Sequence, residues 1–255
     1  MRLKQYINEK RKDIEVIWIN LLKDCKPFLK ELKRSMSSTD GDFFYRGYSS
    51  FNSGASGIEK KKTRRDRYPK DTPVRVHETL NSKFYDKFGW NVRSEGVFTS
   101  ANVSFAESYG KSVLFFPIGK YEYVWSPKVK DLFEYIGAEG LEYVEDALRG
   151  IYSEDDEEEY EREYGEDEKG EWELDDEGNR EFWIPEVELD DFMERRMIDI
   201  IDDFDNTIFK AVSTFKSNDM AGALKSGNEI VFGCKEYYLI NKHYIEQIRE
   251  KLGNL

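Results

Sequence analysis

Three short elements of the chain carry residue types able to do chemistry, and they recur in one order. The first, Phe44-Tyr45-Arg46-Gly47, reads as a strand that delivers an arginine at its end. A guanidinium is a planar fork of donors that matches phosphate oxygens in pairs. The second, Gly96-Val97-Phe98-Thr99-Ser100-Ala101, reads as a strand ending in hydroxyls, with the aromatic–glycine stretch Phe105-Ala106-Glu107-Ser108-Tyr109-Gly110 after it. The third is Ser226-Gly227-Asn228-Glu229-Ile230-Val231-Phe232, followed by Tyr237-Tyr238-Leu239-Ile240. There a carboxylate opens an apolar run. A carboxylate held beside a sugar stabilises positive charge as it develops on the ring. Taken singly, each element has an ordinary structural reading: an arginine in an ion pair, a helix cap at Ser100 or Ser104, a glutamate on an edge strand.

Taken together and in this order, the three resemble the ADP-ribosyltransferase fold of the arginine–serine–glutamate class, shared by many bacterial toxins and phage enzymes. The resemblance implies an α+β protein with a split mixed β core. It also implies NAD as a substrate, cleavage of the nicotinamide–ribose bond, and transfer of ADP-ribose to a protein or nucleic-acid acceptor, with plain NAD hydrolysis as a variant. Arg46, with Gly47 beside it, falls at the arginine that holds the phosphates of NAD. Thr99 and Ser100 fall at the hydroxyls that end the second element, and Ala101 departs from the third. Glu229 falls at the catalytic glutamate, where it would bond the ribose 2′-OH, and a hydroxyl of Thr99 or Ser100 would orient it. Phe105 or Tyr109 would pack against nicotinamide. On the acceptor side stand Gly227 and Asn228; the family carries Glu or Gln where this chain has Gly227, which disfavours arginine as the acceptor. The resemblance runs in patches from about Phe43 to Ile240 and leaves out the N-terminal helices and residues 129–210.

Other chemistries lack their residues. The chain has no phosphate-binding Gly-x-x-x-x-Gly-Lys-Ser/Thr, no Gly-x-Gly-x-x-Gly after a strand and no His-Glu-x-x-His. Two cysteines and two histidines, Cys25, Cys234, His77 and His243, supply neither a zinc site nor a disulfide framework, so no metal is expected. His77 reads as one face of an amphipathic helix. No run approaches the ~20 apolar residues that span a bilayer, and Met1 to Lys10 has no signal-peptide core. A cytoplasmic protein without a membrane partner is expected.

Charge divides the 255 residues unevenly. The net charge is −13, yet residues 151–205 alone hold 26 acidic against 5 basic side chains, and the remaining residues carry +8. Basic side chains crowd between Lys60 and Arg75, which reads as a loop, either solvated or holding a phosphate-rich ligand. The acidic segment is either a solubilising insertion or a surface for basic partners. An acidic interaction or inhibitor protein is therefore the alternative function, and a catalytically degenerate NAD-binding member of the fold is another.

These residues need elements to position them. Apolar spacing at three and four predicts helix over the first forty residues, with Pro27 ending one helix or opening a second that runs to about Ser35. Helices are further expected at Val76–Phe88, Phe105–Tyr109, Val129–Ile151, Leu189–Lys210 and Tyr244–Leu252. Strands are expected at Asp42–Arg46, Gly96–Ser100, Ser112–Pro117 and Tyr121–Trp125, and Glu229–Phe232 and Tyr237–Ile240 read as a strand pair around Gly233-Cys234-Lys235. Glu171–Leu174 and Glu181–Ile184 alternate around a Gly-Asn turn, the pattern of a hairpin. The expected organisation is an N-terminal helical segment over residues 1–40, then a transferase-like domain over 41–255 with an acidic helical and hairpin insertion at about 129–210.

Overall fold

The computed structural model describes residues 2–38, 43–50, 57–65, 67, 72, 74–137, 171–174, 180–183 and 186–255. They belong to two compact units, one of Met1–Tyr135 with Ala211–Leu255 and one of Ile136–Lys210.

In the first unit two helices, α1 (Arg2–Asp24) and α2 (Lys26–Met36), precede the sheet. The break falls at Cys25, and Pro27 sits in the first turn of α2, where its missing N–H has no partner to lose. Strands β1 (Tyr45–Gly47) and β2 (Ile58–Lys62), helices α3 (Val74–Phe88) and α4 (Val92–Glu95), and strand β3 (Gly96–Ser100) follow. Then come α5 (Val103–Glu107), β4 (Ser112–Trp125) and α6 (Leu132–Ile136). In the second unit β5 (Glu171–Leu174) pairs antiparallel with β6 (Arg180–Trp183), Trp172 opposite Phe182, and α7 (Glu186–Ser213) leads back to the first. The chain closes with α8 (Met220–Ser226), β7 (Glu229–Asn241) and α9 (Ile245–Gly253). The protein is mixed α+β.

The sheet has the order β2-β7-β3-β1-β4, and β4 returns to pair with β7, so the strands close into a small barrel. The long β7 is its spine. β4 runs beside it from Trp125↔Ile230 to Val113↔Asn241, while the opposite edge is shared by β3, from Ser100↔Glu229, and β2, from Lys62↔Glu236. The expected strand pair around Gly233-Cys234-Lys235 is therefore one continuous strand. Gly233 serves close packing there, not a turn: a Cβ would stand 2.8 Å from Glu122 and 3.2 Å from Trp90. Likewise Ser112–Pro117 and Tyr121–Trp125 are one strand, with a register shift between Ile118 and Tyr121 where Gly119 takes a φ of +72. An extra residue bulges out and the ladder resumes. The basic stretch after Ile58 opens as a strand and not a loop, because Lys60 and Lys61 pair across to Tyr238 and Tyr237 and Lys60 binds Glu236 at 2.8 Å.

Ile17, Leu21, Phe28, Leu29 and Leu32 of the first two helices are buried in the same cluster as the sheet aromatics. Phe28 meets Phe116 and Phe232 edge-on at 5.9 Å each, the arrangement that aromatic quadrupoles favour. No described helix is long and apolar enough to cross a membrane. The expected helix beyond Gly137, the acidic run to residue 170 and the hairpin turn at 175–179 lie outside the described residues.

Candidate active site

Strand register brings the candidate residues together. Ser100 stands opposite Tyr45 on one side and opposite Glu229 on the other, so Arg46, Ser100 and Glu229 sit at one end of three neighbouring strands. At about 4.8 Å between strands, the backbones of Arg46 and Glu229 are roughly 10 Å apart. All three line one cavity of about 630 Å³, inside the ~300–1,000 Å³ range of small-ligand sites.

Glu229 is 8% exposed, and its Oε1 has no hydrogen-bond partner. Burial pushes its carboxyl up from 4.5 to about 7; Arg93 and Arg67 pull it down and Asp131 pushes it up. The strand is pinned at this point, since the Glu229 N–H donates to the Lys130 carbonyl at 2.8 Å. Arg46 reaches the same cavity, lies with its Cζ 5.7 Å from the Tyr237 ring, and keeps Nε and Nη1 buried and unpartnered. Buried polar atoms without partners are rare in folded proteins, and at a cavity wall they mark where a ligand's atoms would go.

Thr99 and Ser100 bond the backbone on either side of Glu229. The Thr99 hydroxyl donates to the Ile230 carbonyl at 3.0 Å, and the Ser100 hydroxyl donates to the Gly227 carbonyl at 2.7 Å. The Glu229 side chain lines the cavity. Ser100 Oγ also accepts from Asn102 N at 2.9 Å, and Asn102, not Ser100 or Ser104, caps α5.

Gly227 and Asn228 do not line the cavity. Gly227 ends α8 in the left-handed conformation at φ +66, which explains a glycine where the resembled family has an acid or amide. Asn228 is tied to the Ser126 carbonyl at 2.8 Å. Gly47 is required by packing: a Cβ would lie 2.1 Å from the Ala106 carbonyl oxygen. Phe105 and Tyr109 both line the cavity, with ring centroids 5.6 Å apart. Tyr109 is 60% exposed and donates to Asp131 Oδ2 at 2.5 Å; burial and that bond raise its pKa.

Three further arginines line the cavity: Arg64 and Arg67 from the basic stretch already read as able to hold a phosphate-rich ligand, and Arg93, which the sequence did not single out. Arg67 and Arg93 each set the guanidinium against the Phe98 ring, at 4.8 and 4.9 Å. Nothing separated Arg67 from its basic neighbours, and Arg93 belongs to no periodic pattern; its one signal is standing three residues before β3. His77 explains how Arg93 is placed. His77 and Asn81, buried on α3, bond Ser94 Oγ at 2.9 and 2.7 Å, and Asn81 Oδ1 accepts from the Arg93 N–H at 2.9 Å. Burial lowers the pKa of His77, in keeping with a structural role.

Among the described residues no group of His, Cys, Asp and Glu could hold a metal ion. Compared with protein-family models, curated proteins and solved structures, the chain matches none.

Proposed function

We propose that the protein is an NAD-dependent ADP-ribosyltransferase of the arginine–serine–glutamate class, its barrel and flanking helices a form of that fold. The observation that carries the reading is the shared cavity. It joins a buried, unpartnered Glu229 carboxyl to the buried, unpartnered Nε and Nη1 of Arg46, and Ser100 stands between them in register.

Arg46 takes phosphate oxygens of NAD, for which its fork of donors is shaped. Glu229 faces the nicotinamide ribose. The C–N bond breaks with its electron pair leaving on nicotinamide, and the carboxylate stabilises the cationic sugar that remains. The acceptor's nucleophile then bonds to the anomeric carbon and gives its proton to Glu229, whose pKa of about 7 suits that task. Phe105 and Tyr109 offer the flat apolar surface for the nicotinamide ring. With Gly227 in place of an acid or amide, arginine is disfavoured, and the acceptor is a group on a protein or a nucleic acid, or water.

Nicotinamide release from NAD tests this, measured on the full chain beside Glu229→Gln, with and without cell lysate. Release that depends on Glu229 is the expected result, and labelled NAD then reports the acceptor. No release in either condition, with no binding of NAD, ends the proposal.

A further inference from the structure

We propose that Arg67 and Arg93, set against the ring of Phe98, form a phosphate clamp beside Glu229 for the diphosphate or phosphodiester of an anionic ligand. The clamp rests on the proposed reaction only for the identity of that ligand.

Charge carries the argument. Arg46, Arg64, Arg67 and Arg93 line one cavity. The carboxylates nearby compensate them only in part. Asp131 spends Oδ1 on the N–H groups of Phe133 and Glu134 and Oδ2 on the Tyr109 hydroxyl. Burial holds Glu229 toward its neutral form, and the attraction of Arg93 and Arg67 does not overcome that. Burial, then repulsion by Arg46 and Arg93, lowers the pKa of Arg67. Four guanidiniums against the two carboxyl groups of Asp131 and Glu229 leave positive charge in excess, which favours an anion among them.

Geometry points the same way. Arg93 Nε is buried and has no hydrogen-bond partner. A guanidinium lying on an aromatic face is held by cation–π attraction and keeps its N–H edge for a bidentate contact with phosphate. The platform is rigid on both sides. Phe98 is a residue of β3, one before Thr99, whose hydroxyl binds the next strand. Arg93 is fixed through its N–H by Asn81, itself locked with Ser94 and His77. Such a clamp is preorganised, so little side-chain entropy is lost when the anion arrives.

Inorganic pyrophosphate is the probe, titrated calorimetrically into the full chain and into Arg67→Gln, Arg93→Gln and Arg93→Lys, with Arg34→Gln as a control outside this cavity. The wild type and the control bind alike, and binding weakens with salt. Arg67→Gln and Arg93→Gln each weaken it about tenfold or more, the loss of a charge-assisted pair. Arg93→Lys falls between, because it keeps the charge and loses the fork. Parallel titrations with ADP-ribose and with a short single-stranded oligonucleotide tell the sources apart. Loss with ADP-ribose assigns the clamp to the dinucleotide, and loss with the oligonucleotide assigns it to a nucleic-acid acceptor. Unchanged affinity for all three ligands in folded Arg67→Gln and Arg93→Gln overturns the clamp, as does a wild type that binds none of them. A protein that binds pyrophosphate through these arginines yet releases no nicotinamide keeps the clamp and loses the reaction.

Discussion

Replacing Glu229 with glutamine removes a charge that the fold resists burying. The carboxyl moves from 4.5 to about 7, which corresponds to about 3 kcal/mol in favour of the neutral form. For an acid whose pKa is raised by folding, the native state binds the extra proton between those two values. Stability therefore falls as pH rises from 4.5 through about 7 and levels off above it. Glutamine has the same shape without the ionisation. The variant is expected to be more stable than the wild type by up to about 3 kcal/mol near pH 8, and by about 1 kcal/mol or less near pH 5. The attraction of Arg93 and Arg67 for the carboxylate is already counted in the raised value, so it does not need to be subtracted again.

Urea unfolding reads this directly. At the usual slopes of ~1–3 kcal/mol per molar urea, the gap near pH 8 is a midpoint shift of about 1–3 M. Other groups that titrate in this range, such as His77 and Glu122, are common to both proteins and cancel in the comparison. The same variant loses nicotinamide release, so stability and activity move in opposite directions, as they do where a site stores unfavourable burial. A midpoint difference that is the same near pH 5 and near pH 8 would refute the reasoning, because the gain would then have nothing to do with the charge.

Three further outcomes are expected. Ser100→Ala loses the bond donated to Gly227 O at 2.7 Å and the one accepted from Asn102 N at 2.9 Å; at ~0.5–1.5 kcal/mol each, denaturant unfolding should show a loss of about 1–3 kcal/mol. Gly47→Ala places a methyl 2.1 Å from the Ala106 carbonyl oxygen. Moving α5 away costs about 1–3 kcal/mol by thermal unfolding, and it displaces Phe105 and Tyr109, so NAD affinity should fall with it. Nicotinamide release by the wild type should rise with pH through about 7 and then flatten, since the ionised carboxyl is the working form; a profile flat from pH 5 to pH 8 in kcat/KM would detach Glu229 from the rate.

The chain's legible features were the local ones. The limits of β3 are those expected from Gly96 and Ser100, and Pro27 opens α2 as proline does in a first helical turn. Glu229 begins β7 because helix α8 stops at a left-handed Gly227 two residues earlier. What sequence misread were the glycines inside strands. Gly119 and Gly233 look like turns because glycine favours turns, yet one marks a bulge and the other a close approach by Glu122 and Trp90. Long-range pairing decides between those uses, and it is not encoded near the glycine. Arg93 was invisible for a similar reason: its partners Asn81 and Phe98 lie on different elements, and only the fold makes them neighbours.

A neutral Glu229 in the empty cavity is compatible with the chemistry of a carboxylate, because the ligand itself changes the balance of charge. Arg93 and Arg67 pull the carboxyl down, and burial raises it further than they lower it. Phosphates seated on the two arginines cancel their pull and would raise the value further. A cationic nicotinamide ring near the carboxyl acts in the opposite sense and favours the ionised form. If the ligand is NAD, as proposed, it carries both and would leave Glu229 able to ionise near neutrality; nicotinamide loss would then remove the cation while the phosphates stay. The carboxyl should become more basic at the stage when the acceptor must give up its proton. In the proposed reaction the phosphates would cancel the arginines' pull throughout, and loss of the cationic nicotinamide would time the protonation of Glu229 to its departure.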